Sequence, residues 1–211
     1  MEVNDKEYWN MFYDKNSLPF KNSDFAEFVL KNYIDGGKIL IEMGCGNGRD
    51  SCFFAKNNVK VIGVDQAENE INFLNSKFKN ENLEFLCEDF TNLNLNKSFD
   101  YVFDYVYSRF SIHSINEEAE DRLLNWTFNN LNADGLFLIE ARSIKDTLYN
   151  EGEKISQTEN FTDHYRRYCN KDVLINKLKK LGFRIIYETE GKGLAVYKNE
   201  DPYIVRIISK K

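Results

Sequence analysis

The chain has 211 residues and a mass of 24.9 kDa, the size of one domain, and its 42% hydrophobic and 15% aromatic content supports a packed core rather than disorder. Twenty-eight Lys and Arg against 34 Asp and Glu leave a net charge of −6 and a pI near 5.2, which excludes a broad nucleic-acid-binding face because phosphate backbones need clustered cations. No apolar run approaches the ~20 residues of a membrane span, the first ten residues are polar, and the four scattered cysteines (Cys45, Cys52, Cys87, Cys169) lack metal spacing, so the expectation is a cytoplasmic protein with free thiols, no signal peptide, no membrane contact and no metal.

Asn4–Lys15 and Ser23–Tyr33 read as two helices laid before a sheet. Lys38–Met43 is a short apolar strand that runs into the glycine-rich stretch Gly44-Cys45-Gly46-Asn47-Gly48, and Arg49–Ala55 has helical spacing. Val59–Val64 is a second strand closed by Asp65, and Ala67–Phe78 repeats apolar residues as a helix does. Leu83–Cys87 and Phe99–Tyr107 are the third and fourth strands. Asn116–Leu131 is a helix with Leu123, Leu124, Trp126 and Leu131 inward, and Asn132–Gly135 is a turn into a fifth strand, Leu136–Ala141. The helix Lys171–Leu181 stops at Gly182, and Phe183–Thr189 and Tyr203–Ser209 complete seven strands.

Mostly continuous apolar strands alternating with helices predict an α/β domain: a doubly wound, mostly parallel sheet covered on both faces. One domain spans residues 1–211, with a helical lid over 1–35 and a polar, poorly periodic active-site insertion over 143–170.

In such a sheet, ligands bind beyond the carboxyl ends of the strands, where Gly44, Gly46 and Gly48 let the backbone turn tightly and approach a ligand. A dinucleotide fingerprint needs its third glycine at position 49, which is Arg49, and this opposes a nicotinamide-dependent oxidoreductase. Glu42, two residues before the first glycine, would repel a pyrophosphate but accept from an ammonium group. Asp65 ends the second strand where a carboxylate can take ribose hydroxyls, with Gln66 beside it. Asp89 follows the third strand, placed to accept from an adenine amino group, and Phe90 can lie beside the ring; Glu88 is the rival for that role.

Glu42, the glycine loop, Asp65 and Asp89 describe a pocket for an adenosine carrying an amino acid. With these residues the chain resembles the class I S-adenosylmethionine-dependent methyltransferases over nearly its whole length. The resemblance implies a Rossmann-like fold with an antiparallel last strand, and S-adenosyl-L-methionine as cofactor with S-adenosyl-L-homocysteine as product. It extends the cofactor contacts to Cys45, Asn47, Arg49 and Ser108. Small bacterial members use a similar Y-W-x-x-x-Y segment as a lid, which implies Tyr8, Trp9 and Tyr13 as further contacts.

Five of the eight arginines and both histidines fall in segments expected to border this pocket. Arg109 and His113 follow the fourth strand, Arg142 and Ser143 the fifth, and His164, Tyr165, Arg166, Arg167 and Tyr168 lie in the insertion. An acidic chain that gathers guanidinium groups on one rim is suited to a small anion, since the planar fork donates two parallel hydrogen bonds to phosphate or carboxylate. We therefore take Arg109, His113, Arg142, Ser143, His164, Tyr165, Arg166 and Tyr168 as substrate-binding, and His113 and Arg109 as catalytic. The segments S-R-F-S-I-H-S-I, E-A-R-S-I and D-H-Y-R-R-Y resemble a small bacterial branch associated with capsule and other surface-polysaccharide genes, some of whose members are implicated in O-methyl phosphoramidate formation. That resemblance implies methyl transfer to an oxygen of a phosphorylated or phosphoramidate-bearing acceptor. A hydroxyl acceptor with His113 as general base, and a non-catalytic S-adenosylmethionine-binding regulatory protein, are the alternatives. Monomer and homodimer remain equally open.

Overall fold

The computed structural model describes residues 21–93, 102–161 and 164–211; the expected helix Asn4–Lys15, with Tyr8, Trp9 and Tyr13, lies outside them. The described chain opens with α1 (Asp24–Asn32), capped by the Ser23 hydroxyl, which accepts from the Ala26 amide. There follow β1 (Ile39–Met43), α2 (Arg49–Lys56), β2 (Lys60–Asp65), α3 (Glu68–Lys77), β3 (Leu83–Cys87) and β4 (Phe103–Arg109). A 3₁₀ turn over Ile112–Ser114 leads to α4 (Glu117–Asn130) and β5 (Leu131–Arg142). Short strands β6 (Glu153–Lys154), β7 (Glu159–Phe161) and β8 (Tyr165–Arg167) precede α5 (Lys171–Leu181), β9 (Arg184–Gly191) and β10 (Ile204–Lys210).

Seven strands form one sheet in the order β3-β2-β1-β4-β5-β10-β9. All neighbours are parallel except β10, which runs antiparallel to both β5 and β9, as expected for the last strand. Alternation along each strand sorts the side chains to two faces. Leu40, Val61, Tyr105 and Leu138 pack under α1 and α2, while Ile41, Ile62, Val106 and Ile139 pack under α4 and α5. The chain steps from β1 outward to β3, then crosses back to β4 on the other side of β1. This switch in direction opens a crevice at the carboxyl ends of β1 and β4.

Three details differ from the sequence expectations. The fourth strand runs to Arg109 rather than Tyr107, because Ser108 and Arg109 pair with Met43 and Glu140 despite their polarity. The expected turn Asn132–Gly135 lies inside β5 as an irregularity: the register jumps between Phe103 and Tyr105, and Asp134 adopts φ +69°. The insertion folds as a three-stranded antiparallel sheet, β6-β7-β8, whose strands of two or three residues are too short to show a period. Its two ends meet, since the Cys169 amide donates to the Arg142 carbonyl (2.8 Å) and the Ile144 amide to the Cys169 carbonyl (3.0 Å).

Candidate active site

The site is built on the bend between β1 and α2. Gly44, Gly46 and Gly48 have φ values of +75°, +51° and +70°, a region open to glycine at no steric cost. A Cβ on Gly44 would lie 2.8 Å from the Ser111 Cβ, and one on Gly48 would lie 2.8 Å from the Phe85 ring. The bend is held by amides of Gly44 and Cys45 donating to the Val64 carbonyl (2.8 and 2.9 Å) and by the Gly46 amide donating to Asp65 Oδ2 (2.9 Å). Cys45 turns its side chain into a small core with Cys52, Ile71, Leu74 and Phe85, so it can offer a ligand only backbone. Asn47 and Gly48 complete the bend, and Gly48 caps α2 with no side-chain bond, which leaves the first turn of that helix to face the crevice.

The acidic members divide by burial. Glu42 on β1 is buried, and its Oε2 accepts from Ser51 Oγ at 2.5 Å. Burial, then the nearby Asp50 carboxylate, push its pKa well above the ordinary value, against the pull of Ser51, Arg49 and Arg109. Asp65 is also buried; Oδ1 accepts from the Ala67 amide (3.0 Å) and Oδ2 from Gly46, and burial outweighs these bonds to raise its pKa. Each carboxylate oxygen has two acceptor sites, so Asp65 can still take a hydroxyl. Asp89 is exposed, and its Oδ1 accepts from the Thr91 amide (2.8 Å) and hydroxyl (2.7 Å). Asp89, Phe90 and Gln66 line a cleft of about 450 Å³, within the usual range for ligand sites; Tyr165 and Phe161 of the insertion form its opposite wall.

Sequence inspection passed over Asp50 and Ser51. Asp50 is a buried anchor that accepts from the Ser23 amide (2.7 Å), the Ser23 hydroxyl (2.7 Å) and the Tyr107 hydroxyl (2.9 Å), tying α1 and β4 to α2. The available signal was a polar pair two and three residues after the last glycine, followed by the apolar run Cys52–Ala55.

Beyond β4 and β5 the charge reverses. Ser108 and Ser111 share a hydrogen bond of 2.6 Å beneath the glycine bend. Arg109 lies 2.9 Å from Glu140 Oε1, and Arg206 donates to Glu140 Oε2 at 2.7 Å, so one buried carboxylate serves two guanidiniums. Arg142 pairs with Asp146 (3.3 Å) and Glu200 (3.2 Å). The Ser143 hydroxyl donates to Glu190 at 2.5 Å, and Tyr165 donates to Glu159 at 2.6 Å. His113 is buried, and no described residue hydrogen-bonds its Nδ1. Burial, followed by Arg142, Arg166, His164 and Arg109, lowers its pKa well below 6.5, so it is a neutral imidazole at pH 7. The charges of Arg109, Arg142, Arg166 and His164, all picked from sequence, thus act on His113. The Tyr168 hydroxyl, 1% exposed, also lacks a hydrogen-bond partner among the described residues, and the positive charges of Arg166 and Arg142 act on it. Arg167 is used otherwise: it donates to the Ile115 carbonyl (3.0 Å) and forms a buried pair with Glu120.

Residues 40–135 match the family model described as a methyltransferase domain. A Geobacillus protein (strain WCH70) provisionally named as a methyltransferase is 32% identical over 143 residues, which are 64% of this chain and 56% of that protein. A Haemophilus influenzae protein provisionally named as the S-adenosyl-L-methionine-dependent methyltransferase TehB is 26% identical over 142 residues, 64% of this chain and 48% of that protein. The chain thus spans about half the length of these curated relatives. Among solved structures, the Burkholderia thailandensis 1,6-didemethyltoxoflavin-N1-methyltransferase superposes with a TM-score of 0.72 at 16% identity, covering 97% of this chain and 85% of that one. A Methanosarcina mazei S-adenosylmethionine-dependent methyltransferase gives 0.69 at 18% identity, covering 87% and 96%. The fold is the Rossmann-like one these solved structures share, and residues 40–135 are similar to a methyltransferase domain. In this chain the matched segment runs from β1 into the first half of β5, and so contains the glycine bend, Asp65, Asp89 and the Arg109–His113 segment.

Proposed function

We propose that the protein is an S-adenosyl-L-methionine-dependent methyltransferase that moves a methyl group to an oxygen of a small anionic acceptor. One observation carries the reading. The space a side chain on Gly44 would need is taken by Ser111, so the segment bearing Arg109 and His113 abuts the glycine bend. A cradle suited to an aminoacyl nucleoside therefore opens onto a chamber of arginines and imidazoles.

The residues present fit that cofactor. Glu42, buried and held protonated above its ordinary range, is relieved when an ammonium group arrives to share the carboxylate. The three left-handed glycines admit a ligand against bare backbone, and Asp65 and Asp89 face a sugar and a base from the ends of β2 and β3. When bound, S-adenosyl-L-methionine supplies a methyl group on a positively charged sulfur, leaving S-adenosyl-L-homocysteine. The protein's part is to align the acceptor and keep water out, which is where most of such a rate gain arises.

An anionic oxygen needs no base. The neutral His113 and the rim guanidiniums then orient the acceptor without protonating the oxygen that attacks. If the acceptor is instead a neutral hydroxyl of a small metabolite or sugar, His113 is the base, and its unprotonated state at pH 7 suits that role too. On the surface-polysaccharide role expected from sequence, phosphorylated or phosphoramidate-bearing sugars come first among acceptors to try. Calorimetry with S-adenosyl-L-homocysteine, followed by methyl-transfer assays over phosphorylated sugars, nucleotides and their uncharged counterparts, tests both halves. No heat with the nucleoside ends the methyltransferase reading, and turnover confined to uncharged acceptors ends the anionic one.

A further inference from the structure

Phe110 directly follows β4, between the two residues placed in the chemistry. Its backbone sits at φ +55°, a left-handed conformation that is a genuine outlier for a bulky side chain and persists only where its surroundings hold it. The conformation is pinned from outside, since the Phe110 amide donates to the Glu140 carbonyl at 2.8 Å. The half-buried ring is not spent on the core. The Arg109 guanidinium carbon lies 4.4 Å from its centroid and that of Arg142 6.0 Å, while the His113 ring centroid is 5.4 Å away.

Arg109 comes from β4, Arg142 from β5 and His113 from the 3₁₀ turn, so one ring touches three elements. Each guanidinium is drawn to the aromatic face, which selects among its rotamers without neutralising its charge. Both arginines already have carboxylate partners, so a further carboxylate in place of the ring would make the site acidic. Glu140 is that partner from below for Arg109, and Asp146 and Glu200 are the partners of Arg142.

We infer that Phe110 is a positioning residue of the acceptor chamber: its strained backbone holds an aromatic platform that sets Arg109, Arg142 and His113 in the geometry that receives an anion. This rests on the reading of that chamber as the acceptor site, and the test keeps the two apart. The probe is inorganic phosphate, observed through the imidazole nitrogen resonances of the full-length protein at pH 7. With only two histidines in the chain, His164→Gln assigns them.

Wild type and Phe110→Tyr, which keeps the ring, are expected to show His113 responding at similar phosphate concentrations. Phe110→Leu and Phe110→Gly are expected to need about fivefold more, the loss of roughly one guanidinium–ring contact. The glycine variant adopts the left-handed backbone without strain, so it reports even if the leucine variant folds poorly. Binding of S-adenosyl-L-homocysteine should stay within about twofold in all variants, because the ring's contacts described above are with Arg109, Arg142 and His113. Leucine and glycine variants that respond at the wild-type concentration, or a His113 that ignores phosphate in every protein, overturn the inference. A wild type that binds phosphate but not S-adenosyl-L-homocysteine overturns the methyltransferase reading and leaves Phe110 standing.

Discussion

The two halves of the crevice solve opposite problems. On the β1–β3 side, the proposed ligand-facing groups are carboxylates and bare backbone: Glu42, Asp65 and Asp89 around three left-handed glycines. On the β4–β5 side they are guanidiniums and imidazoles, held by a buried Glu140 and by Asp146. The first half gains its shape from what is missing, since its glycines leave room that Ser111 and Phe85 partly fill. The second gains its shape from pairing, since buried like charges stay together only when carboxylates behind them offset the repulsion. One half is therefore sensitive to added atoms and the other to removed charge.

The largest effect expected from breaking that contrast is at Glu140. Glu140→Ala leaves Arg109 and Arg206 facing each other without their shared anion, and should cost about 3–5 kcal/mol, read as a lower urea midpoint at unchanged slope. A loss below about 1 kcal/mol would show that the cationic half does not depend on its buried counterion. Next comes Gly44→Ala, whose Cβ has to displace Ser111 at a left-handed position. Overpacking of about 1–3 kcal/mol predicts tenfold to hundredfold weaker binding of S-adenosyl-L-homocysteine, by calorimetry.

His113→Ala should lower turnover at least about tenfold, and near-wild-type turnover removes His113 from the chemistry. The depressed pKa of His113 also sets a sign. Below 6.5 the unfolded chain binds this proton before the folded one does, so stability is at its full value above 6.5 and falls as the pH drops toward the folded pKa. His113→Gln should flatten that part of the acid limb in denaturation curves. The smallest expected effect is a proton count. Because the pKa of Glu42 is raised, the free protein carries a proton there above 4.5, and stability linked to it is lost as the pH rises through the folded value. Binding an ammonium-bearing nucleoside should release protons from Glu42, seen as a dependence of binding heat on the buffer, and Glu42→Gln should abolish that release.

Much of this was written in local sequence. Continuous apolar strands, the glycine bend after β1 and acidic residues at strand ends are encoded over five to ten residues, so they announce a doubly wound sheet and a nucleoside cradle before any contact is known. The basic residues after β4 and β5 could be picked for the same reason, because strand ends in this fold face the ligand. The roles within that set were not local. Ser143 turned out to be bonded to Glu190 and Arg167 to Glu120, partners 47 residues away in each case, while Tyr168 and His113 keep a buried polar atom without a described partner. The strands of the insertion and the left-handed Phe110 had no periodic or compositional mark.

What the sequence determined by itself was the order of elements and the kinds of charge at each strand end, since both follow from short-range pattern. Only the tertiary structure decided which charges neutralise each other and which remain to meet a ligand. Burial and pairing depend on residues far apart in the chain, as Arg109 and Arg142 show by meeting both a carboxylate and the Phe110 ring.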